Sequence, residues 1–202
     1  MSPQTASRKL TIADIADVRA YERGRDEFRA NVMETKRRRR LSFGTIITMM
    51  FENRDTMLLQ IQEMARVEKI ISDDGIEAEL RAYNPLIPES GHLSATMFIE
   101  LTNEAELREW LPKLVGVERA VELRIGPDAE AVACLPDPDH DAQLTRDEIT
   151  ASVHYIGWSL TPAQVEAFAA GPVVLALTHP NYVFELELSP ETHAELLADL
   201  RG

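Results

Sequence analysis

The chain has 202 residues, 45% of them hydrophobic and 27% charged, and its formal net charge is −13. This length and composition exclude a disordered chain and allow a substantial core to form without disulfides or a metal. No stretch is apolar over the roughly 20 residues that a membrane-spanning helix needs, and the first residues lack the apolar stretch of a secretory signal, so we expect a cytoplasmic protein without membrane contact.

The single cysteine and the distribution of charge narrow the range of partners. Cys134 cannot form an intramolecular disulfide, and we expect it to be a small buried hydrophobe on a short strand. Residues 1–69 hold 14 Lys and Arg against 10 Asp and Glu, whereas residues 70–202 hold 7 against 24. The acidic second part repels phosphates, so no DNA partner is expected. This polarity favours a protein partner or a second copy of the chain, which would form a homodimer.

A long helix is the first predicted element. Thr11 and Asp14 have the spacing of a capping box, and no proline occurs from residue 12 to residue 38, so we predict one helix over 12–38. The apolar stripe of this helix consists of Val18, Tyr21, Phe28 and Val32. Arg25 lies in the middle of the stripe.

A run of basic residues lies where this helix should end. It consists of Lys36, Arg37, Arg38, Arg39 and Arg40. Cations at a helix C-terminus offset the helix dipole, and we expect the run to be hydrated and structural. Phosphate or RNA contact is the functional alternative, although no aromatic residues are interleaved for base stacking. Docking onto an acidic protein surface is a third use.

A strand over residues 41–51 and a helix over 56–71 are predicted next. The first segment is rich in β-branched and aromatic residues and is apolar on both parities, as a central strand would be. The second segment has helical periodicity. Its apolar face carries Met57, Ile61, Met64 and Ile71.

Glu68 lies among these apolar residues, one turn beyond Met64. Because a charge buried alone is costly, we hypothesise that Glu68 pairs with a buried arginine. Arg25 is the first candidate, and Arg54 and Arg81 are the alternatives. A carboxylate with a functional role in a pocket is the other interpretation.

Charged side chains also cluster before this helix and on its opposite face. They are Glu52, Arg54, Asp55, Glu63 and Arg66. A solvated helix face crossed by ion pairs accounts for them structurally. The alternative is a charged cleft, in which Glu52, Asp55 and Glu63 bind a metal or a cationic group.

Two stretches of the second half share one order of predicted elements. The first is a strand over 93–101, a helix to 115, and strands over 121–125 and 131–135; the second is a strand over 152–160, a helix to 170, and strands over 173–178 and 182–188. Each is a β-α-β-β unit with a proline in the turn between its last two strands. The segment 136–147 is rich in Asp and Pro and is predicted to be a loop.

These elements predict an α+β fold, with a long N-terminal helix, a mixed or antiparallel sheet built from the two units, and a C-terminal helix capped by Ser189. Residues 1–91 form a helical region with one strand in this interpretation. Residues 92–202 form the two units, packed as part of the same domain.

Sequence motifs for familiar chemistry are absent. The five histidines do not pair at the spacing of zinc metalloproteases, and no Cys-x-x-Cys pair accompanies them. No glycine-rich nucleotide loop and no Gly-x-Ser-x-Gly elbow occurs. We therefore predict no metal and no cofactor. His154 shares strand parity with Ile156 and Trp158, so we expect it in or near the core.

Three strings carry a resemblance to a known family. FENRDTMLLQIQEMARVEKI at 51–70, AYNPLIP and GHLSATMFIEL resemble the uncharacterised bacterial domain-of-unknown-function family DUF3501, and the likeness covers nearly the whole chain. The resemblance implies no activity and no catalytic residue. It implies a context of peroxide-linked or iron-linked redox metabolism, because members tend to be encoded beside rubrerythrin-like and iron-sulfur proteins. Other members have an acidic residue before the His-Pro turn where this chain has Thr178, which weakens a metal site at His179.

Two functions therefore remain open at the level of sequence. The favoured one is a non-catalytic accessory or interaction protein in bacterial redox or iron-related metabolism, which contacts a protein partner or a second copy through its basic head and long helix. The alternative is an enzyme or ligand-binding protein with a charged cleft around residues 52–55 and 63–66.

Overall fold

The computed structural model describes residues 7–126, 131–138 and 148–202. Its helices are α1 (Val18–Arg39), α2 (Arg54–Glu68), α3 (Asp73–Tyr83), α4 (Glu104–Lys113), α5 (Pro162–Ala170) and α6 (Pro190–Arg201). Its strands are β1 (Arg40–Phe43), β2 (Ile47–Phe51), β3 (His92–Ile99), β4 (Val121–Ile125), β5 (Val132–Ala133), β6 (Leu135–Pro136), β7 (Val153–Ser159), β8 (Val173–His179) and β9 (Tyr182–Glu187). No helix in these ranges is long and apolar enough to cross a bilayer.

The strands form two antiparallel sheets rather than one. The first sheet has the order β1-β2-β3-β7-β6, and the second has the order β5-β4-β8-β9. The main hydrophobic core contains buried residues from both sheets, together with α5 and α6. The predicted α+β class is confirmed, and the prediction of a single sheet is corrected to two.

The two β-α-β-β units occur in the predicted order. Each unit gives its first strand to the first sheet, where β3 pairs with β7, and its later strands to the second sheet, where β4 pairs with β8. The turn from 179 to 182 joins β8 to β9 as predicted. Residues 127–130, which hold most of the other predicted hairpin turn, and residues 139–147 of the predicted loop lie outside the described ranges.

The central strands of the first sheet bury side chains on both faces, as their apolar sequences predict. Phe51, Ala95 and Ile156 are cross-strand neighbours on the face toward the main core. Met50, Thr96 and Tyr155 are cross-strand neighbours on the opposite face. A second, smaller core covers part of that opposite face, and its members are Leu10, Met57, Ile61, Leu80, Leu86 and Ile87.

The N-terminal helix begins later than predicted. Thr11 and Asp14 do form a capping box, but it caps the 3-10 turn Ile12–Asp14, after which the chain becomes extended at Ile15. The α-helix starts at Val18, where the carboxylate of Asp17 accepts hydrogen bonds from two free backbone N–H groups. Two capping signals lie close together in the sequence, and the second one starts the long helix.

The predicted strand over 41–51 is a hairpin. Gly44 has a φ of 66°, a left-handed conformation that glycine adopts readily, and it turns the chain between β1 and β2. The hydroxyl of Tyr182 donates a 2.5 Å hydrogen bond to the carbonyl of Phe43, so the turn is also tied to the second sheet. A continuous apolar run concealed the turn, because its only signal was one glycine.

Two predictions about single residues of the core are confirmed. Cys134 is buried, its thiol lies 3.2 Å from the carbonyl of Glu118, and burial raises the pKa of the thiol to about 11. His154 is buried on β7, with Nε2 2.9 Å from the hydroxyl of Thr150. Neither residue has the exposure that a reactive group needs.

Candidate functional site

A cavity of about 540 Å³ lies between the outer face of the first sheet and helices α1 and α2. We call it the sheet–helix cavity. Its lining residues come from α1 and β1 (Met33, Lys36, Arg37, Arg40), from β2 to α2 (Met50, Glu52, Met57, Gln60), from the end of α3 onward (Tyr83, Leu86) and from β3 and β7 (Thr96, Phe98, Val153, Tyr155). Its volume falls within the range of roughly 300 to 1,000 Å³ that is usual for small-molecule sites.

The sheet register builds the floor of this cavity. Arg40, Met50, Thr96 and Tyr155 form one cross-strand row over four strands, and Thr48, Phe98 and Val153 form the next row. Side chains on one face of a sheet are two residues apart along each strand, so the two rows lie side by side. The floor is therefore mainly apolar and aromatic, with polar groups at Thr96 and Tyr155.

Glu52 is the buried acidic group of the cavity, with 4% of its surface exposed. Its Oε2 accepts a 2.6 Å hydrogen bond from the hydroxyl of Thr56, and its Oε1 accepts a 2.7 Å hydrogen bond from the hydroxyl of Thr96. Among the described residues its carboxylate forms no ion pair. Glu52 is thus a buried carboxylate that is held in place by two neutral donors.

The start of α2 fixes the position of Glu52. Asn53 caps the helix by accepting a 3.0 Å hydrogen bond from the backbone N–H of Thr56, and the hydroxyl of Thr56 accepts a 2.9 Å bond from the N–H of Asn53. The same hydroxyl donates a hydrogen bond to the carboxylate of Glu52. In the string ENRDT, Asn53 and Thr56 therefore form the capping box, and Glu52 directly precedes it.

A stripe on α1 and β1 forms the basic rim of the cavity. Its four residues, Met33, Lys36, Arg37 and Arg40, are spaced at helical intervals that place them on one side. Arg37 pairs with Glu34 at 2.7 Å and Arg40 with Glu100 at 2.5 Å. Lys36 is half-buried and has no hydrogen bond or ion pair to any residue that the structure describes.

The predicted basic run is divided between two sides of the molecule. Lys36, Arg37 and Arg40 line the cavity, whereas Arg38 pairs with Glu195 of α6 at 2.9 Å. Arg39 is 1% exposed, so the expectation that the whole run is hydrated is wrong. Consecutive residues of a helix point in different directions, and this periodicity sends the two groups to different neighbours.

Arg39 is satisfied by the interior of the protein. It donates a 3.0 Å hydrogen bond to the carbonyl of Phe51 and a 3.2 Å bond to the carbonyl of Glu52. It also forms ion pairs with Asp199 and, at 3.3 Å, with Glu195. Buried charges need partners of this kind, and Arg39 therefore fastens α1 to α6 and to the end of β2.

Arg25 has a partner as predicted, but the partner is Glu63. Its Nε lies 2.8 Å from Oε1 and its Nη2 lies 3.0 Å from Oε2 of Glu63, and the hydroxyl of Tyr21 donates a 2.7 Å hydrogen bond to Oε1. The hydrogen bonds from Arg25 lower the pKa of the Glu63 carboxyl to about 2, although partial burial opposes this shift. The bidentate contact fixes α1 against α2.

The predicted ion pair of Glu68 is wrong. Glu68 is exposed at the end of α2, because Lys69 has a φ of 56° and the helix stops there, three residues before the predicted end. Ile71 lies beyond the helix and is 90% exposed. The two alternative partners are occupied elsewhere, since Arg54 pairs with Asp14 and Arg81 with Glu77. The buried face of α2 carries Met57, Ile61 and Ala65 instead.

The charged cleft predicted around α2 is not assembled. Of its five residues, Glu52 lines the sheet–helix cavity and Arg54 pairs with Asp14. Asp55 is exposed in the first turn of α2. Glu63 and Arg66 lie on the side of α2 that faces α1 and are 3.4 Å apart. Within the described part of the chain no group of three His, Cys, Asp or Glu residues could hold a metal ion.

The sequence interpretation missed most of the lining of the cavity. Gln60, Tyr83, Thr96, Phe98 and Tyr155 were not among the predicted site residues, and Lys36 was predicted only as part of a basic run. A usable signal was present in β3 and β7, because Thr96 and Tyr155 have the parity opposite to the residues of the main core. The stripe at 33, 36, 37 and 40 was a second signal.

These observations define an α+β protein of two antiparallel sheets that carries a cavity of mixed polarity on the outer face of one sheet. The family model described as "Protein of unknown function (DUF3501)" matches residues 9–200, so the chain belongs to this family and the resemblance is confirmed. The chain is similar to a novel protein of unknown function from Burkholderia pseudomallei K96243, whose crystal structure is known. The two sequences are 37% identical, the match covers 95% of this chain and 99% of that chain, and the TM-score is 0.87. No functionally curated protein matches the sequence.

Proposed function

We propose that this protein binds a small organic anion with an apolar body in the sheet–helix cavity. The observation that carries the proposal is the position of Lys36, a half-buried cation on the rim of a 540 Å³ cavity that has no partner among the described residues. An ammonium group in this position is available to a ligand.

The walls of the cavity suit an apolar ligand body. Met33, Met50 and Met57 line it from α1, β2 and α2, and methionine side chains adapt their shape to different ligands. Phe98 and Val153 provide a flat apolar surface on the sheet. Sites of this composition bury most of the surface of a small molecule and use a few polar groups to orient it.

The basic rim favours an anionic end of the ligand. Arg37 and Arg40 are engaged with Glu34 and Glu100, but such exposed pairs contribute little free energy and can be exchanged for a ligand. The chain as a whole carries a net charge of −13, so a local group of three cations stands out from the surrounding field. Anions are drawn to this rim rather than to the rest of the surface.

Binding of 8-anilinonaphthalene-1-sulfonate, an aromatic sulfonate whose fluorescence rises in an apolar site, tests the proposal. We expect saturable binding at one site and, for Lys36→Gln, an affinity weakened by about fivefold or more. Lys113→Gln removes the same charge from α4, away from the cavity, and is expected to leave the affinity unchanged. Val153→Trp fills the cavity and should abolish binding.

Two results would overturn the proposal. One is equal binding of the sulfonate by Lys36→Gln and Lys113→Gln, and the other is undiminished binding by a folded Val153→Trp variant. Circular dichroism of each variant establishes that it is folded.

A second candidate is the non-catalytic accessory or interaction function in bacterial redox or iron-related metabolism. An apolar surface beside the end of α2 favours it, because Ile71 is 90% exposed and lines a groove with Ile12 and Ile70. The basic first third and the acidic remainder of the chain fit a second copy as the occupant. Light scattering on wild type, Ile71→Glu and Val183→Glu tests it, and Val183 is the control because it is 68% exposed on β9 and does not line the groove. A dimer that only Ile71→Glu abolishes supports the candidate, and a wild-type monomer contradicts it.

A further inference from the structure

We infer that the ligand of the sheet–helix cavity also carries a cationic nitrogen that Glu52 binds, so that its class is a zwitterion with an apolar segment between an amine and an acid group. This inference rests on the proposed binding function and names the ligand class of the same site. It uses a different residue, Glu52, and can fail while the binding function stands.

The unfinished coordination of Glu52 is the first argument. A carboxylate has about four acceptor positions, and each of its oxygens here accepts one hydrogen bond from a threonine hydroxyl. The residue is 4% exposed, so water supplies little of the remainder from bulk solvent. A buried carboxylate is costly without an opposite charge, and a ligand cation would provide that charge.

The cations that the structure describes around Glu52 have other partners or positions. Arg39 contacts the backbone of Glu52, but its guanidinium donates to the main-chain carbonyls of Phe51 and Glu52 and pairs with Asp199. Lys36, Arg37 and Arg40 line the cavity without forming an ion pair with the Glu52 carboxylate. The position opposite Glu52 is thus left to the cavity.

Aromatic rings near Glu52 are the second argument. Tyr83 and Tyr155 line the cavity together with Glu52. Tyr155 is the cross-strand neighbour of Thr96, whose hydroxyl donates to Glu52, so Tyr155 and Glu52 share one part of the cavity wall. Burial raises the pKa of Tyr155, and Tyr83 and Glu52 raise it further. The faces of tyrosine rings attract ammonium groups, so the rings and the carboxylate favour the same kind of ligand group.

The opposite charges of the basic rim and of the Glu52 carboxylate make the cavity specific for one class of ligand. A simple amine is repelled by the basic rim, and a simple acid gains nothing from Glu52. A zwitterion satisfies both regions at once, with its apolar segment against Met50, Met57 and Phe98. Discrimination of this kind depends on an unfavourable contact for each wrong ligand as well as a favourable one for the right ligand.

Isothermal titration calorimetry with three ligands of eight carbons each tests the inference: 8-aminooctanoate, octanoate and octylamine, with shorter homologues of each. We expect wild-type protein to bind 8-aminooctanoate about tenfold more tightly than octanoate. Glu52→Gln keeps the shape and the acceptor oxygen, and it should bind the two ligands equally. Lys36→Gln should weaken the binding of both acids and strengthen the binding of octylamine, because it removes one cation from the rim that repels the amine.

The outcomes separate the two claims. Equal affinity of wild-type protein for octanoate and 8-aminooctanoate would overturn the zwitterion inference and leave the binding function intact. Failure of both acids and of the aromatic sulfonate to bind would overturn the binding function and the inference with it. The comparison of octanoate with 8-aminooctanoate uses wild-type protein, so it decides the zwitterion inference even if Glu52→Gln does not fold.

Discussion

The guanidinium of Arg39 donates a 3.2 Å hydrogen bond from Nη2 to the backbone carbonyl of Glu52. Arg39 is the last residue of α1, and Glu52 immediately precedes the cap of α2. Lys36 and Arg37 lie within one turn of Arg39 on the same helix, so this bond fixes the basic rim relative to the buried carboxylate. Asp199 and Glu195 hold the guanidinium from the side of α6. The geometry of the cavity thus depends on an arginine that does not line it.

Arg39→Met should destabilise the protein strongly. Removing Arg39 leaves the buried Asp199 with only the longer 3.5 Å contact to Arg8, and breaking a buried ion pair costs about 3 to 5 kcal/mol. Urea denaturation measures the change in the free energy of unfolding. Arg37→Met, in an exposed position of the same helix, is the matched control and should change it by about 0.5 kcal/mol or less. Equal effects of the two substitutions would contradict the structural role of Arg39.

The pair Arg25–Glu63 should make stability depend on pH in the acid range. The pKa of Glu63 is lowered from 4.5 to about 2 in the folded protein, so the folded state binds its proton more weakly than the unfolded state does. The stabilisation that ionised Glu63 provides is therefore complete above pH 4.5, and it disappears as the pH falls toward about 2.

Glu63→Gln removes this titration. The difference in the free energy of unfolding between wild type and Glu63→Gln should be constant near neutral pH and should narrow as the pH drops below 4.5. Denaturant titrations at a series of pH values measure it. Glu109→Gln is the control, since this residue forms an exposed pair with Lys113 on α4. A difference that does not change with pH would contradict the lowered pKa.

Two glycines should respond to alanine substitution in opposite directions. Gly44 has a φ of 66°, and an added Cβ would collide with the hydroxyl of Tyr182, so Gly44→Ala should lower the free energy of unfolding by about 1 kcal/mol or more. Gly24 is in the middle of α1, and an added Cβ would meet no other atom, so Gly24→Ala should raise stability by about 0.5 to 1 kcal/mol. Thermal melts of both variants measure whether the melting temperature falls for Gly44→Ala and rises for Gly24→Ala. A lower melting temperature for Gly24→Ala would contradict the open space around Gly24.

Thr96→Val should be more harmful than Thr48→Val, although both threonines are buried on the same face of neighbouring strands. Thr96 donates to the buried Glu52, and losing this bond leaves a carboxylate oxygen without a donor, at a cost of about 1 to 3 kcal/mol. Thr48 donates to Glu100, which is exposed and can bind water instead. Comparable losses in a urea titration would mean that Glu52 is not held as described.

The fold was predictable to the extent that its signals are local. The order of strands and helices from β3 to α6 follows from periodicity and turn residues, and Ser189 caps α6 as predicted. The predicted boundaries of elements are wrong where a single residue interrupts a long apolar or helical pattern. Gly44 divides an apolar run into a hairpin, and the left-handed Lys69 stops α2 before Ile71.

The site was less predictable, because its members meet through contacts between distant parts of the chain. Glu52 lies in a charged string typical of a surface, yet it is buried, and its donor Thr96 is 44 positions away. Arg39 lies in a run of five basic residues, and its partner Asp199 is 160 positions away. The pairing of strands and the packing of helices against one another set these contacts, and no local pattern encodes which face of a sheet a helix will cover.

Methionine methyl resonances provide the most direct measurement of ligand binding in the cavity. Met33, Met50 and Met57 line it, whereas Met49 and Met97 are buried in the main core on the other side of the same sheet. In protein labelled with ¹³C at the methionine methyl groups, titration with octanoate or 8-aminooctanoate should shift the resonances of Met33, Met50 and Met57 and leave those of Met49 and Met97 unchanged. Shifts confined to other methionines, or none at saturating ligand, would contradict the account.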